Sequence, residues 1–516
     1  MDIVNRKPPF DVLTATAADL RNLLQLGQTT SVEIVEAYLS QIEKHNKAGC
    51  ELRAIISTAP REVALAQAEA LDSERRSGQV RSALHGIPII VKDAIVTSKA
   101  LGMPTTAGAV AFKDAYGKKN AGIIELLMDG GLIILGKASM TEFCGLKATC
   151  MTAGWSAING LTQSAYIAGG FRKDDLFCGR SGPGGSSSGS AVGVSAGFAP
   201  LSIGTETSGS ICMPANRAGL YSMKGSRGSI PMDGLFNLSQ DFDGLGGMAK
   251  SPEDLEMLMN LLNGNHDSET QSLDWEDISV GFVDPVEWNA FGFHKSRDED
   301  VEKQILDKYE WARSQVVQRG GKAVYPVKLP STEDLLYDGK SVNYSVSFYE
   351  FPNKFESFCK LLENPAVRSV PELIDFNNKN AAHAMPEPHT DQTDLIKTLE
   401  STLTDEIASA AKAHGREKAG PQGIDVALAE NKIDVIIGPG DCAICVLAAL
   451  AGYPTAMVPM SRLEGPGGLG QPQGLMMIGG AGCEGNMLKF MKLWKQVVGT
   501  WKVPPLLSQT GQSKEG

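Results

Sequence analysis

Two serine-bearing glycine loops, Gly184-Gly185-Ser186-Ser187-Ser188-Gly189-Ser190 and Gly204-Thr205-Glu206-Thr207-Ser208-Gly209-Ser210-Ile211, place hydroxyl groups on backbone that can bend sharply and approach a ligand closely. A serine hydroxyl becomes a useful nucleophile only when a base takes its proton during attack, so the chemistry these loops suit is acyl transfer. The same composition also suits a flexible linker or a turn. Neither loop has the Gly-Lys-Ser/Thr ending of a phosphate cradle, which disfavours nucleotide binding.

The surrounding residues must hold these hydroxyls in place. Ala191 to Phe198 reads as a small-residue helix and Leu201 to Ile203 as a buried strand, so the second loop emerges at a strand end, where α/β folds place their chemistry. Pro214 and Ala215 announce a further helix, with unpaired backbone N–H groups aimed at the loop and able to hold an oxyanion. His85-Gly86 followed by Ile87-Pro88-Ile89-Ile90-Val91-Lys92-Asp93-Ala94 reads as a turn and a strand that ends an apolar run on a lysine. A buried ammonium must be paired or lose its proton. Pairing with Asp93, snorkelling to water and service as a neutral base are all open to Lys92 at this point.

Taken together, residues 86–93, 184–190 and 204–215 resemble the three blocks of the amidase signature family, and the 24 positions between Ser186 and Ser210 resemble its spacing of bridging serine and nucleophile. Gly154-Trp155-Ser156-Ala157 with Gln163, and residues 243–250, 451–454 and 474–479, resemble further landmarks, so the likeness covers most of residues 10–500. In motif character it is nearest the peptide-amidase branch. The resemblance implies an α/β fold with a large mixed central β-sheet flanked by helices. It implies Ser210 as nucleophile, Ser186 as bridge after a cis Gly185–Ser186 bond, and Lys92 as base. The backbone N–H groups of Thr207, Ser208, Gly209 and Ser210 would form the oxyanion hole. The implied activity is hydrolysis of a small-molecule or peptide carboxamide through an acyl-enzyme, without cofactor or metal. An acyltransferase, esterase-like enzyme or cyclase using the same acyl-enzyme is one alternative, and a partner-dependent amidotransferase-like subunit is another. Three positions depart from the family pattern. Ser208 stands for glycine or aspartate, Cys212 for an arginine that often braces the loop, and Gly247 for proline.

Composition agrees with a large cytoplasmic enzyme. A chain of 516 residues with 42% hydrophobic residues can bury an extensive core. One domain over residues 1–516 is expected, with a signature core at about 80–260 and a variable, substrate-shaping region at about 330–425. A net charge of −12 and the lack of a basic stripe argue against nucleic acid as a partner. Nine cysteines, at 50, 144, 150, 178, 212, 359, 442, 445 and 483, form neither a disulfide framework nor paired knuckles, and the Cys442/Cys445 pair reads as structural. The histidines at 45, 85, 266, 294, 383, 389 and 414 show no metal-ligand spacing. Met1 to Phe10 is polar rather than a signal sequence, and no run nears the roughly 18 apolar residues that span a bilayer.

Elsewhere the pattern is that of ordinary packing. Thr30 with Glu33 reads as a capping box opening a helix with Val32, Val35, Leu39 and Ile42 on one face. Residues 278–283, the helical series Val301, Ile305, Ala312 and Val316, Gly320-Gly321, and residues 323–327 read as a β-α-β unit with a parallel crossover. Trp275, Trp288 and Trp311 read as packing residues, and Gly465 to Gly470 as a loop.

Overall fold

Short β-branched runs such as Pro88–Lys92 and Ile133–Ala138, buried at every position, form the interior of a mixed sheet in the computed structural model. The structure describes residues 8–149, 151–173, 175, 179–264, 273–288 and 298–508. Met1 to Lys7, Cys150, Cys178, His266 and His294, on which parts of the sequence reading rest, lie outside them.

Eleven strands pair in the order Ile55–Thr58, Ile133–Ala138, Pro88–Lys92, Leu201–Glu206, Gly244–Ala249, Tyr221–Lys224, Thr455–Arg462, Pro472–Ile478, Val435–Pro439, Ser279–Phe282 and Lys322–Val324. Parallel pairing joins Pro88–Lys92 to both Ile133–Ala138 and Leu201–Glu206. Antiparallel pairing then carries the sheet across to Val435–Pro439. Helices cover it, as the resemblance implied for a flanked mixed sheet.

The β-α-β unit is present. Ser279–Phe282 and Lys322–Val324 are parallel, with Val280 opposite Ala323, and the Glu299–Gln318 helix between them buries Val301, Ala312 and Val316. Thr30 and Glu33 close a reciprocal capping box on the Ser31–His45 helix, which buries Val35, Leu39 and Ile42 while Val32 is half-buried at its edge. Trp275 and Trp288 are buried, and Trp311 packs edge-on against Trp494 at 5.8 Å. Cys442 and Cys445 are buried as free thiols. At Gly247 a β-carbon would sit 2.6 Å from Leu258 Cδ2, so the missing side chain lets the Pro252–Leu262 helix lie close on the sheet. One expectation needs correction. Gly465–Gly468 is a single helical turn, closed by Leu469 N–H on Gly465 O at 3.0 Å, because Pro466 presets the backbone at its start.

Candidate active site

The parallel pairing of Pro88–Lys92 with Leu201–Glu206, Val91 opposite Ile203, brings Lys92 and Thr205 side by side at the carboxyl ends of two buried strands. Lys92 has no solvent exposure. Its Nζ lies 2.8 Å from Ser186 Oγ, 2.8 Å from Thr205 Oγ1 and 3.0 Å from Thr205 O. Burial pushes its pKa below the ordinary lysine value, against the opposing influence of Cys144, Asp243 and Glu206. Asp93 is turned to other partners. It lies 3.5 Å from Lys137 Nζ and accepts from Thr106 and Gly108 N–H, so the pairing left open for Lys92 is not the one formed.

The first glycine loop reaches Lys92 by bending around the helix that follows Ser210. Gly184 has φ +73°, and a β-carbon there would come within 3.0 Å of Pro214 Cα. The Gly185–Ser186 bond is cis, as the resemblance implied. Ser186 is buried, and its carbonyl accepts from Thr141 N–H at 3.0 Å. One residue on, Ser187 N–H donates to Ser210 O at 3.1 Å, which ties the two serine loops together. The Ser188–Ser195 helix then leads into the Leu201–Glu206 strand, as read from the small and β-branched residues.

In the second loop, Gly209 adopts φ +83°, a left-handed conformation costly for other residues, and delivers a half-buried Ser210. The helix after it spans Cys212–Ala218, but its first donors do not face the loop as expected. Glu206 Oε2 accepts from Ile211 N–H at 2.7 Å and Cys212 N–H at 3.0 Å, while Oε1 accepts from Thr455 Oγ1 at 2.6 Å. The carboxylate thus braces the turn directly, and a buried Cys212 can stand where an arginine is usual. Among the described residues, the N–H groups of Thr207, Ser208, Gly209 and Ser210 form no hydrogen bond and remain available as donors.

Glu206→Ala would strand two buried N–H groups and a hydroxyl, each at about 1–3 kcal/mol. The expected result is a loss of at least about 2 kcal/mol of stability, read by denaturant unfolding. Unchanged stability would mean that the carboxylate does not brace the turn.

Two further contacts escaped the sequence reading. Thr207 Oγ1 donates to Asp243 at 2.6 Å, and Asp243 in turn accepts from Leu238 N–H at 2.6 Å. Asn343, at the start of the Val342–Leu361 helix, donates from Nδ2 to Ser208 Oγ at 3.1 Å. Asp243 falls within a quoted landmark and Asn343 in none. Cys144, which acts against the lowering of the Lys92 pKa, was likewise assigned no role. Across the site Thr141 Oγ1 accepts from Gly154 N–H at 2.8 Å. Beyond it the Trp155 ring meets His389 at 4.2 Å, tilted by 30°, with Lys147 Nζ 5.2 Å from the Trp155 ring centre, so His389 docks on this landmark.

The chain resembles known proteins over most of its length. The Amidase family model matches residues 33–488. The chain superposes on the peptide amidase of Stenotrophomonas maltophilia with a TM-score of 0.80 and 28% identity, over 95% of this chain and 98% of that one. It is 27% identical to a probable amidase of Arabidopsis thaliana over 97% of this chain and 93% of the relative. It is also 32% identical to a subunit of the glutamyl-tRNA(Gln) amidotransferase of Chloroflexus aggregans, over 62% of this chain and 61% of that protein. No helix among the described residues is long and apolar enough to cross a membrane. A family match across most of the sequence, on a shared fold, supports the peptide-amidase-like branch; the chain belongs to the amidase family and is a hydrolase acting on amides.

Proposed function

We propose that the chain cleaves a carboxamide C–N bond through an acyl-enzyme, with Ser210 as nucleophile, Ser186 as proton bridge and Lys92 as base. The observation that carries this reading is the 2.8 Å contact of a fully buried Lys92 with Ser186. Thr205 O can only accept, so it takes one N–H of the amine, and Thr205 Oγ1 can accept a second. A neutral amine then has its lone pair left for the Ser186 hydroxyl, the arrangement a base requires. The depressed pKa of Lys92 favours that neutral form.

In acylation, Ser210 Oγ bonds to the amide carbon as its proton passes to Ser186 and the Ser186 proton passes to Lys92. The oxyanion is held by backbone N–H groups drawn from residues 207–210, fixed before reaction by Glu206 and Asp243. Lys92 returns the proton through Ser186 to the departing nitrogen, and the C–N bond breaks. Water repeats the sequence on the ester to release the acid.

The similarity to a peptide amidase points to peptide amides as the first substrates to try. Incubation with a peptide amide should release ammonia and acid in equal amounts, with no trapped product when an amine acceptor is added in excess. Product carried on the acceptor would place the chain among acyltransferases. The Val342–Leu361 helix, which reaches the oxyanion turn through Asn343, would shape substrate choice, so Asn343→Ala in the same assay should alter the ranking of amides. An unchanged ranking would remove that role.

A further inference from the structure

A cavity of about 280 Å³ opens at the end of the sheet away from Lys92. The register fixes its place, since Thr455 lies against Glu206 whereas Arg462, at the other end of the same strand, pairs with Pro472 beside the cavity. None of Lys92, Ser186 and residues 207–210 lines it. It is therefore separate from the site already described.

Its walls carry polar atoms with nothing to bond. Gln471, 2% exposed, and Asn216, 3% exposed, both line it, and among the described residues Gln471 Nε2 and Asn216 Oδ1 have no hydrogen-bond partner. Arg180 Nε is likewise without a partner among the described residues. Buried donors and acceptors in folded proteins are rarely left so, because each was stripped of water on folding. The Asn216 amide packs closely on Gly440, where a β-carbon would meet its Oδ1 at 2.4 Å. Burial, with Arg217, lowers the pKa of Arg180 to about 10, and the carboxylates of Asp441, Asp175 and Glu302 act against that shift, the first and last of them lining the cavity. Val286, Ile305 and Leu306 supply an apolar side.

A cation, a free donor, a free acceptor, carboxylates and an apolar surface gathered around one cavity complement a small zwitterion. The volume falls just below that of ordinary drug-sized pockets, about 300–1,000 Å³, and so suits a single residue rather than a peptide. We propose that this cavity binds a free α-amino acid with an apolar side chain. Its carboxylate lies on Arg180 and Gln471, its ammonium on Asn216 Oδ1 and Glu302, and its side chain against Val286, Ile305 and Leu306.

Calorimetric titration of the full chain with L-leucine tests this directly. The expected result is one equivalent bound, with the same affinity in the wild type and in Ser210→Ala. Arg180→Met should weaken leucine at least about tenfold, the loss typical of one charge-assisted contact. Glu302→Gln, an isosteric change at a half-buried position, should weaken leucine but leave the binding of 4-methylpentanoate, which lacks the ammonium, unaltered. Absence of binding by leucine, valine and methionine alike would overturn the proposal. So would leucine binding indifferent to both substitutions, or lost in Ser210→Ala, which would assign it to the catalytic site.

Discussion

Ser210→Ala should lower kcat by about 10⁴-fold or more with the fold intact, because removal of a nucleophile leaves only binding and oxyanion stabilisation. The substitution is mild for the structure. Ser210 is half-buried, its carbonyl rather than its side chain ties the two loops together, and the brace at Glu206 acts on Ile211 and Cys212. Denaturant unfolding of the variant should therefore overlay that of the wild type. The KM should change little, since substrate binding does not need the hydroxyl. Parallel steady-state kinetics and unfolding curves check both parts, and a folded variant with wild-type turnover would remove Ser210 from the mechanism.

Lys92→Met should cost about 10²–10⁴-fold in kcat, the range for loss of a general base. Methionine fills much of the same apolar space, and it removes a group whose charged form burial disfavours. It also takes away the partner of Ser186 Oγ and Thr205 Oγ1, so some loss of stability accompanies the loss of rate. The pH profile separates the two effects. In the proposed mechanism catalysis uses the neutral amine, so kcat/KM of the wild type should fall tenfold per pH unit below the folded pKa of Lys92 and level off above it. Burial lowers that pKa, so the fall lies at a lower pH than an ordinary lysine would give. In Lys92→Met this acid limb should disappear from the residual activity. The same limb in the variant would assign the titration to another group.

The proposed catalytic constellation was legible because its parts are local. A lysine ending an apolar strand, and glycines flanking serines, are written in consecutive residues, and the strand pairing that joins Lys92 to Thr205 follows from two buried runs. The β-α-β unit was legible for the same reason, with periodicity and a Gly-Gly stop in one stretch. Contacts between distant segments were not. Asn343 reaches Ser208 across 135 positions, and no spacing in either segment marks it. Glu206 stood in view inside a quoted block, yet its role depends on Thr455, 249 positions away, and on first-turn donors that the sequence reading assigned to an oxyanion. The cavity at Asn216 and Gln471 was equally hidden, since it is assembled from separate strands and helices.

The central claim is that Ser210 is an activated nucleophile, and the most direct measurement is the intact mass of the protein after exposure to a small serine-directed fluorophosphonate. The account predicts a single adduct on the wild type, none on Ser210→Ala, and much slower labelling of Lys92→Met. An adduct that persists in folded Ser210→Ala, or forms equally fast without Lys92, would contradict it.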